Sequence, residues 1–239
     1  MRSADLLTQA KSSYAVGARR LGRALTAVGV LGETPPSRDH RLKHWAFSLT
    51  RVHDSLAMAE LDVPWWTYRA IDITEAWLSA RRSPVRVFEY GSGASTLWLS
   101  RRADEVFTVE HHRGFAEGMR TAFDARGNSA MQIVEPITSD VVVTPSAKEG
   151  HGGLDFTAYV RSIENVPGEF DLIVIDGRAR EACLTIALER LAPDGLIVFD
   201  NSRRARYRRA IRAAQVQERR LPGLTPTLPY PDQTSLIVR

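Results

Sequence analysis

Four apolar runs in this 239-residue sequence end on acids. "VFEYGSG" carries Glu89, "TVEHH" carries Glu110, "LIVIDG" ends at Asp176, and "LIVFDN" ends at Asp200 and Asn201. In open α/β sheets, the crevice beyond the carboxyl ends of the strands is where ligands bind. Acids at those positions are therefore candidates for binding or proton transfer. Gly91 and Gly93 follow Glu89, and glycines at such a turn admit a ligand where a Cβ would block it. A dinucleotide loop reads Gly-x-Gly-x-x-Gly and seats pyrophosphate on a helix N-terminus. Here the sixth position is Thr96. Glu89 is a poor neighbour for pyrophosphate and a good one for a cationic ligand. Glu110 follows Gly93 by 17 residues, the place for a carboxylate that accepts both ribose hydroxyls. Asp176 suits a general base, an acceptor-holding group or a metal ligand; the plainer reading is a cap on the turn "DGRAR".

The elements that must position these acids begin at Pro84. "VRVFEYG", "EVFTVEH", "MQIVEPI", "FDLIVIDG" and "GLIVFDNS" read as strands. "ASTLWLSRRA", "GFAEGMRTAF" and "REACLTIALERLAPDG" read as intervening helices. Strands alternating with helices predict an α/β doubly wound, mostly parallel sheet, with "TSLIVR" as its last strand. The division expected is an N-terminal helical region, 1–82, and a ligand-binding domain, 83–239. In the first region Leu7, Tyr14, Leu21 and Val28 recur every seven residues. That stripe makes a homodimer through the N-terminal helices an expectation. Trp66, Ala70, Ile73, Trp77 and Ala80 fall on one face of a later helix, with Asp62 and Pro64 at its entry. The cluster Trp65, Trp66 and Tyr68 is a candidate lid. "TSDVVVTPSAKEGHGGLDF" is long for a connection and reads as a flap.

Composition narrows the class. Hydrophobic content is 44% and charged content 25%, which predicts a globular protein with a real core. No apolar run is long enough to span a bilayer, and no signal peptide is read. The lone Cys183 excludes an intrachain disulfide. These features point to a cytoplasmic protein. The net charge of +4 is uneven: Arg203–Arg220 holds eight arginines against one glutamate. With no accompanying nucleic-acid motif, a solvated helix is favoured over a nucleic-acid surface.

From Pro84 to Ser202 the sequence resembles the class I S-adenosylmethionine-dependent methyltransferases. "FEYGSGAST" is similar to their first motif and "VEH" to their ribose-binding acid. "FDLIVIDG" and "LAPDGLIVFDN" are similar to their fourth and fifth strands, and "DGRAR" resembles a little-characterised branch. The resemblance implies a seven-stranded Rossmann-like sheet with its last strand antiparallel. It also implies S-adenosylmethionine held by Glu89, Tyr90, Gly91, Ser92, Gly93, Ser95, Glu110 and Asp176. Ser95 stands where many members have a third glycine. The transfer is an in-line displacement, and an oxygen acceptor must also lose its proton. Asp176, Arg178, Asp200 and Asn201 are the catalytic candidates.

Asp176 with Asp200 and Asn201 resembles the Mg²⁺ site of catechol and caffeoyl-coenzyme A O-methyltransferases. The adjoining Gly-Arg-Ala-Arg makes Mg²⁺ the less favoured alternative. Arg178 and Arg180 suit a small anionic acceptor, methylated by preference on oxygen; the plainer reading is an ion pair of Arg178 with Asp176 or Asp200. His111, His112, His151, Tyr159 and Tyr230 are lesser candidates. The competing readings are an aminopropyltransferase, a NAD-dependent oxidoreductase and a non-enzymatic scaffold with a vestigial pocket.

Overall fold

A computed structural model describes residues 34–51 and 55–239, together with Gly17 and Gly32. The Leu7–Val28 stripe, and with it the expected dimer face, lies outside the described residues. The described chain opens with helices α1 (Arg41–Ser48), α2 (Ser55–Glu60) and α3 (Tyr68–Ser79). Then come β1 (Arg86–Tyr90), α4 (Ala94–Ser100), β2 (Glu105–Glu110), α5 (Arg113–Asp124) and β3 (Ser129–Ile133). A small hairpin follows, β4 (Ile137–Thr138) with β5 (Leu154–Asp155), and then α6 (Thr157–Arg161). The last part contains β6 (Phe170–Ile175), α7 (Arg180–Arg190), β7 (Leu191–Phe199), α8 (Ala205–Ala213), β8 (Gln217–Gly223) and β9 (Asp232–Val238).

Seven strands form one sheet in the order β3-β2-β1-β6-β7-β9-β8. The first five in that order run parallel, and β9 is antiparallel to both β7 and β8. This is the predicted doubly wound sheet, with the terminal "TSLIVR" in its antiparallel strand. β1 lies between β2 and β6, so the connections leave it in opposite directions. That switch point opens a crevice at the carboxyl ends of these three strands.

Successive strand residues point to opposite faces, and both faces are covered. Val87, Leu172, Val174 and Val198 pack on one side with Trp66, Tyr68, Ile71 and Trp98. Phe88, Tyr90, Ile173, Ile175 and Phe199 pack on the other with Phe156, Tyr159, Cys183 and Leu184. Helices α1, α2 and α3 therefore share one core with the sheet.

α3 starts at Tyr68 behind Thr67, later than the Asp62–Pro64 entry predicted for it. Thr67 donates its hydroxyl to Leu221 O and its amide to Thr234 Oγ1, each at 3.0 Å, which ties the helix start to β8 and β9. Asp62 instead adopts φ 51 and pairs with Arg101 and Arg102. The buried face of α3 is Tyr68, Ala70, Ile71, Thr74 and Leu78, while Ile73 and Trp77 are only partly covered. The sheet covers the face that includes Thr74, which shares Ala70 with the predicted one.

α7 ends at Arg190 rather than running on to the Pro–Gly pair. Leu191 already pairs with Phe170 of β6, and a register shift follows. The arginine-rich run splits into α8, which buries Tyr207 and Ile211, and β8. Among the described residues no helix is long and apolar enough to cross a membrane.

Trp66 tests the shared core. It is fully buried and meets Trp98 edge-on at 5.6 Å between centroids. Trp66→Ala should lower unfolding stability by about 3–5 kcal/mol, measured by urea denaturation. A loss below about 1 kcal/mol would show that α1, α2 and α3 do not share the sheet's core.

Candidate functional site

The site begins where β1 runs out. Gly91 turns the chain with φ +96, its amide donating to Val109 O at 2.9 Å. A Cβ at Gly91 would lie 2.7 Å from Gly177 Cα. Two backbones meet here, so neither can yield to a side chain. The amide of Asp176 donates to Tyr90 O at 3.0 Å, which joins the ends of β1 and β6 directly.

Glu89 lies beneath this turn. It is wholly buried and does not line the cavity above. Its carboxylate accepts the hydroxyls of Ser95 and Thr96. Thr96 Oγ1 in turn accepts the amide of Gly93 at 2.9 Å. Thr96, which in the sequence only breaks the dinucleotide pattern, thus clasps the glycine turn to Glu89. The signal available in the sequence was a pair of hydroxyl residues six and seven positions after the acid. Burial pushes the Glu89 carboxyl up to about 7, although the Ser95 and Thr96 hydroxyls pull the other way.

Above the turn is a cavity of ≈ 450 Å³, bordered by Gly91, Ser92, Gly93 and Ser95 on one side. Glu110 borders it from the end of β2. Its Oε1 accepts the amides of His111 and His112 at 2.9 and 2.8 Å, and its Oε2 accepts the amide and hydroxyl of Ser92 at 3.2 and 3.1 Å. Burial alone would raise its pKa. The donors from His111, His112 and Ser92 outweigh burial and hold it below the usual carboxylate range. His111 and His112 also border the cavity, and His112 Nδ1 caps α5 by accepting the Phe115 amide at 3.0 Å. Of the aromatic cluster, Trp65 reaches the cavity, its indole N–H held by Thr227 Oγ1 at 3.0 Å. Trp66 and Tyr68 belong to the core.

The opposite wall is Asp176, Gly177 and Arg178. Asp176 Oδ1 accepts Arg180 Nη2 at 2.7 Å. Arg180 is buried, and it also donates to the carbonyls of Asp176 and Asp200 at 2.6 Å and of Gly177 at 3.0 Å. The ion pair foreseen for Arg178 is therefore made by Arg180, which was not among the catalytic candidates. A helix-start residue four positions after the acid folds back over it, whereas Arg178 sits in the turn and faces the cavity. Burial raises the Asp176 pKa, against the lowering effect of Arg180 and Arg178.

Besides Glu89, three candidates fall away from the cavity. The Tyr90 side chain lies on the other face of the sheet, packed on Phe88 and Tyr159, with its hydroxyl donating to Val160 O at 2.7 Å. A strand residue next to inward-facing Glu89 must point the other way. Asp200 is buried, and its Oδ1 accepts Thr234 Oγ1 at 2.9 Å. Burial and the nearby Asp176 push its pKa up to about 8. Asn201 turns the chain at φ 52 and donates to Asp232 Oδ2 at 2.9 Å.

This donor set does not fit Mg²⁺. Arg180 stands between Asp176 and Asp200, with Nη1 3.8 Å from Asp200 Oδ2. Among the described residues there is no group of three His, Cys, Asp or Glu able to hold a metal. Tyr230 is exposed and outside the cavity. His151 comes from the segment between β4 and β5, and its ring lies 6.0 Å from that of His111. Tyr159 is buried beneath Gly177, its hydroxyl without a hydrogen-bond partner.

Residues 88–202 match the family model described as a methyltransferase domain. No curated protein matches the chain. Among solved structures, the chain is similar to precorrin-8w decarboxylase of Methanobacterium thermoautotrophicum. That match has 15% identity and a TM-score of 0.47, covering 73% of this chain and 91% of that one. A methyltransferase-like protein of Silicibacter pomeroyi has 21% identity and a TM-score of 0.46, with coverages of 70% and 84%. The N-methyltransferase NodS of Bradyrhizobium japonicum has 14% identity and a TM-score of 0.44, with coverages of 71% and 94%.

The buried Glu89 carboxyl makes stability depend on pH. Below its ordinary value of 4.5 the group is protonated in both folded and unfolded chains. Between 4.5 and about 7 the unfolded chain gives up its proton first, so the contribution of Glu89 to stability falls as pH rises. Glu89→Gln keeps the shape and removes the titration. The stability difference between about pH 5 and about pH 8 should shrink by up to about 3 kcal/mol, read by urea unfolding at each pH. An unchanged difference would mean that Glu89 does not carry it.

Proposed function

We propose, for a chain whose residues 88–202 match a methyltransferase-domain family model, that it is a class I S-adenosylmethionine-dependent methyltransferase whose ≈ 450 Å³ cavity holds the methyl donor and serves a small anionic acceptor, methylated on oxygen. The observation that carries this reading is the pairing of two carboxylates across one cavity. Glu110 and Asp176 stand on either side of a glycine turn too close-packed for any Cβ.

The residues fit the donor. Glu110 accepts the ribose hydroxyls, and the amides of Ser92, His111 and His112 keep its carboxylate ionised and aimed. Gly91, Ser92, Gly93 and Ser95 line the path of the methionyl part. Glu89 acts from below by holding Ser95 and Thr96, rather than by touching the ligand. When bound, S-adenosylmethionine supplies an electrophilic methyl group on a sulfonium.

An oxygen nucleophile must still be aligned and deprotonated. Asp176 faces the cavity and takes the hydroxyl proton. Burial raises its pKa, and Arg180 fixes its orientation. Arg178 pairs with the negative charge of the acceptor. Asp200 and Asn201 act behind the cavity, the Asp200 carbonyl holding Arg180 and Asn201 shaping the turn.

Two variants test the assignment. Glu110→Ala should weaken S-adenosylhomocysteine binding about tenfold or more, since it removes hydrogen bonds to a charged acceptor. Calorimetry reads this directly, and unchanged affinity would remove the ribose role. Asp176→Asn should slow labelled-methyl transfer to a hydroxyl acceptor about a hundredfold or more. Full turnover in that variant would exclude Asp176 as the base.

A further inference from the structure

Beyond the wall formed by Gly177 and Arg178 lies a second pocket of ≈ 110 Å³. Three separate parts of the chain build it. The segment between β4 and β5 supplies Lys148, the turn into α7 and its first residue supply Arg178 and Arg180, and the start of α8 supplies Arg204 and Arg206. Five of the lining side chains are thus cationic, against one acid, Glu181. Only folding brings these positions together.

Internal pairing accounts for part of this charge. Arg180 is held by Asp176, and Arg206 Nε lies 3.3 Å from Glu181 Oε1. Arg178 and Arg204 enter no ion pair among the described residues. Arg178 Nε is buried with no hydrogen-bond partner. A buried guanidinium N–H left unpaired is costly and marks a place for an acceptor. The start of α7 also borders the pocket, and the partial positive charge of a helix N-terminus adds to the same field.

We propose that this pocket receives a phosphate monoester group carried by the methyl acceptor. The proposal rests on the methyl-transfer reading above and names the substrate class for it. A carboxylate is gripped by one planar fork from one side. Here the donors come from three segments around a small space, which suits the several oxygens and higher charge of a phosphate. The pocket is small beside its neighbour, so it takes one group while the body of the acceptor stays toward Asp176. Arg178 borders both spaces and sets the acceptor between them.

Calorimetric titration of the full chain with inorganic phosphate, at fixed ionic strength, tests this with and without S-adenosylhomocysteine. Phosphate should bind in both cases, because the two spaces share only Gly177 and Arg178. The double variant Arg204→Gln/Arg206→Gln should weaken phosphate about tenfold or more and leave S-adenosylhomocysteine affinity unchanged. Neither arginine borders the larger cavity. The double lysine variant should retain most of the phosphate affinity. Absence of phosphate binding, equal affinity in the glutamine variant, or acetate binding as tightly as phosphate would each overturn the proposal. Loss of S-adenosylhomocysteine binding with normal phosphate binding would instead overturn the cofactor assignment and leave the anion pocket standing.

Discussion

Two acids at the ends of adjacent strands crowd one another, and a cation that reaches both lets them lie side by side. Asp176 ends β6 and Asp200 ends β7, and the two strands run side by side. Arg180 makes the arrangement tenable by reaching back from the start of α7 to the carboxylate of one and the carbonyls of both. Removing one partner from such a buried pair leaves an uncompensated charge, which costs about 3–5 kcal/mol. The position of the Asp176 carboxylate, the path of the Gly177–Arg178 turn and the wall between the two pockets all follow from this clamp.

A second constraint works across the sheet. Gly91 and Gly177 meet backbone to backbone, and the Asp176 amide is bonded to Tyr90. The ends of β1 and β6 therefore move as one piece. Glu89, Ser95 and Thr96 anchor the glycine turn from below, and Glu110 is held by the amides of its own turn. Each carboxylate is oriented before a ligand arrives, which reduces the ordering that binding must later supply.

The order of strands and helices was legible because buried parallel strands read as apolar runs with little ambiguity. Glu110 and the glycine turn were legible for a related reason: their residue types serve few purposes at a strand end. Helix boundaries were less readable. The predicted face holds at Trp66 and Ala70 but turns away at Ile73, Trp77 and Ala80, because the sheet covers Tyr68, Ile71 and Leu78 instead. The end of α7 was misplaced because the Leu191 pairing with β6 competes with helix continuation.

The sequence by itself determined the alternation of elements, the acids at four strand ends and the unusual company of Glu89 with glycines. Those are local properties of residue type and spacing. Only the tertiary structure decided what each acid does. It buried Glu89 under the turn and gave Arg180 rather than Arg178 to Asp176. It turned Tyr90 and Asp200 away from the cavity, and it gathered Lys148, Arg178, Arg204 and Arg206 around one small space. The reason is geometric. Strand pleat, helix start and chain crossing set the direction of a side chain, and residues 50 positions apart become neighbours only after the sheet has closed.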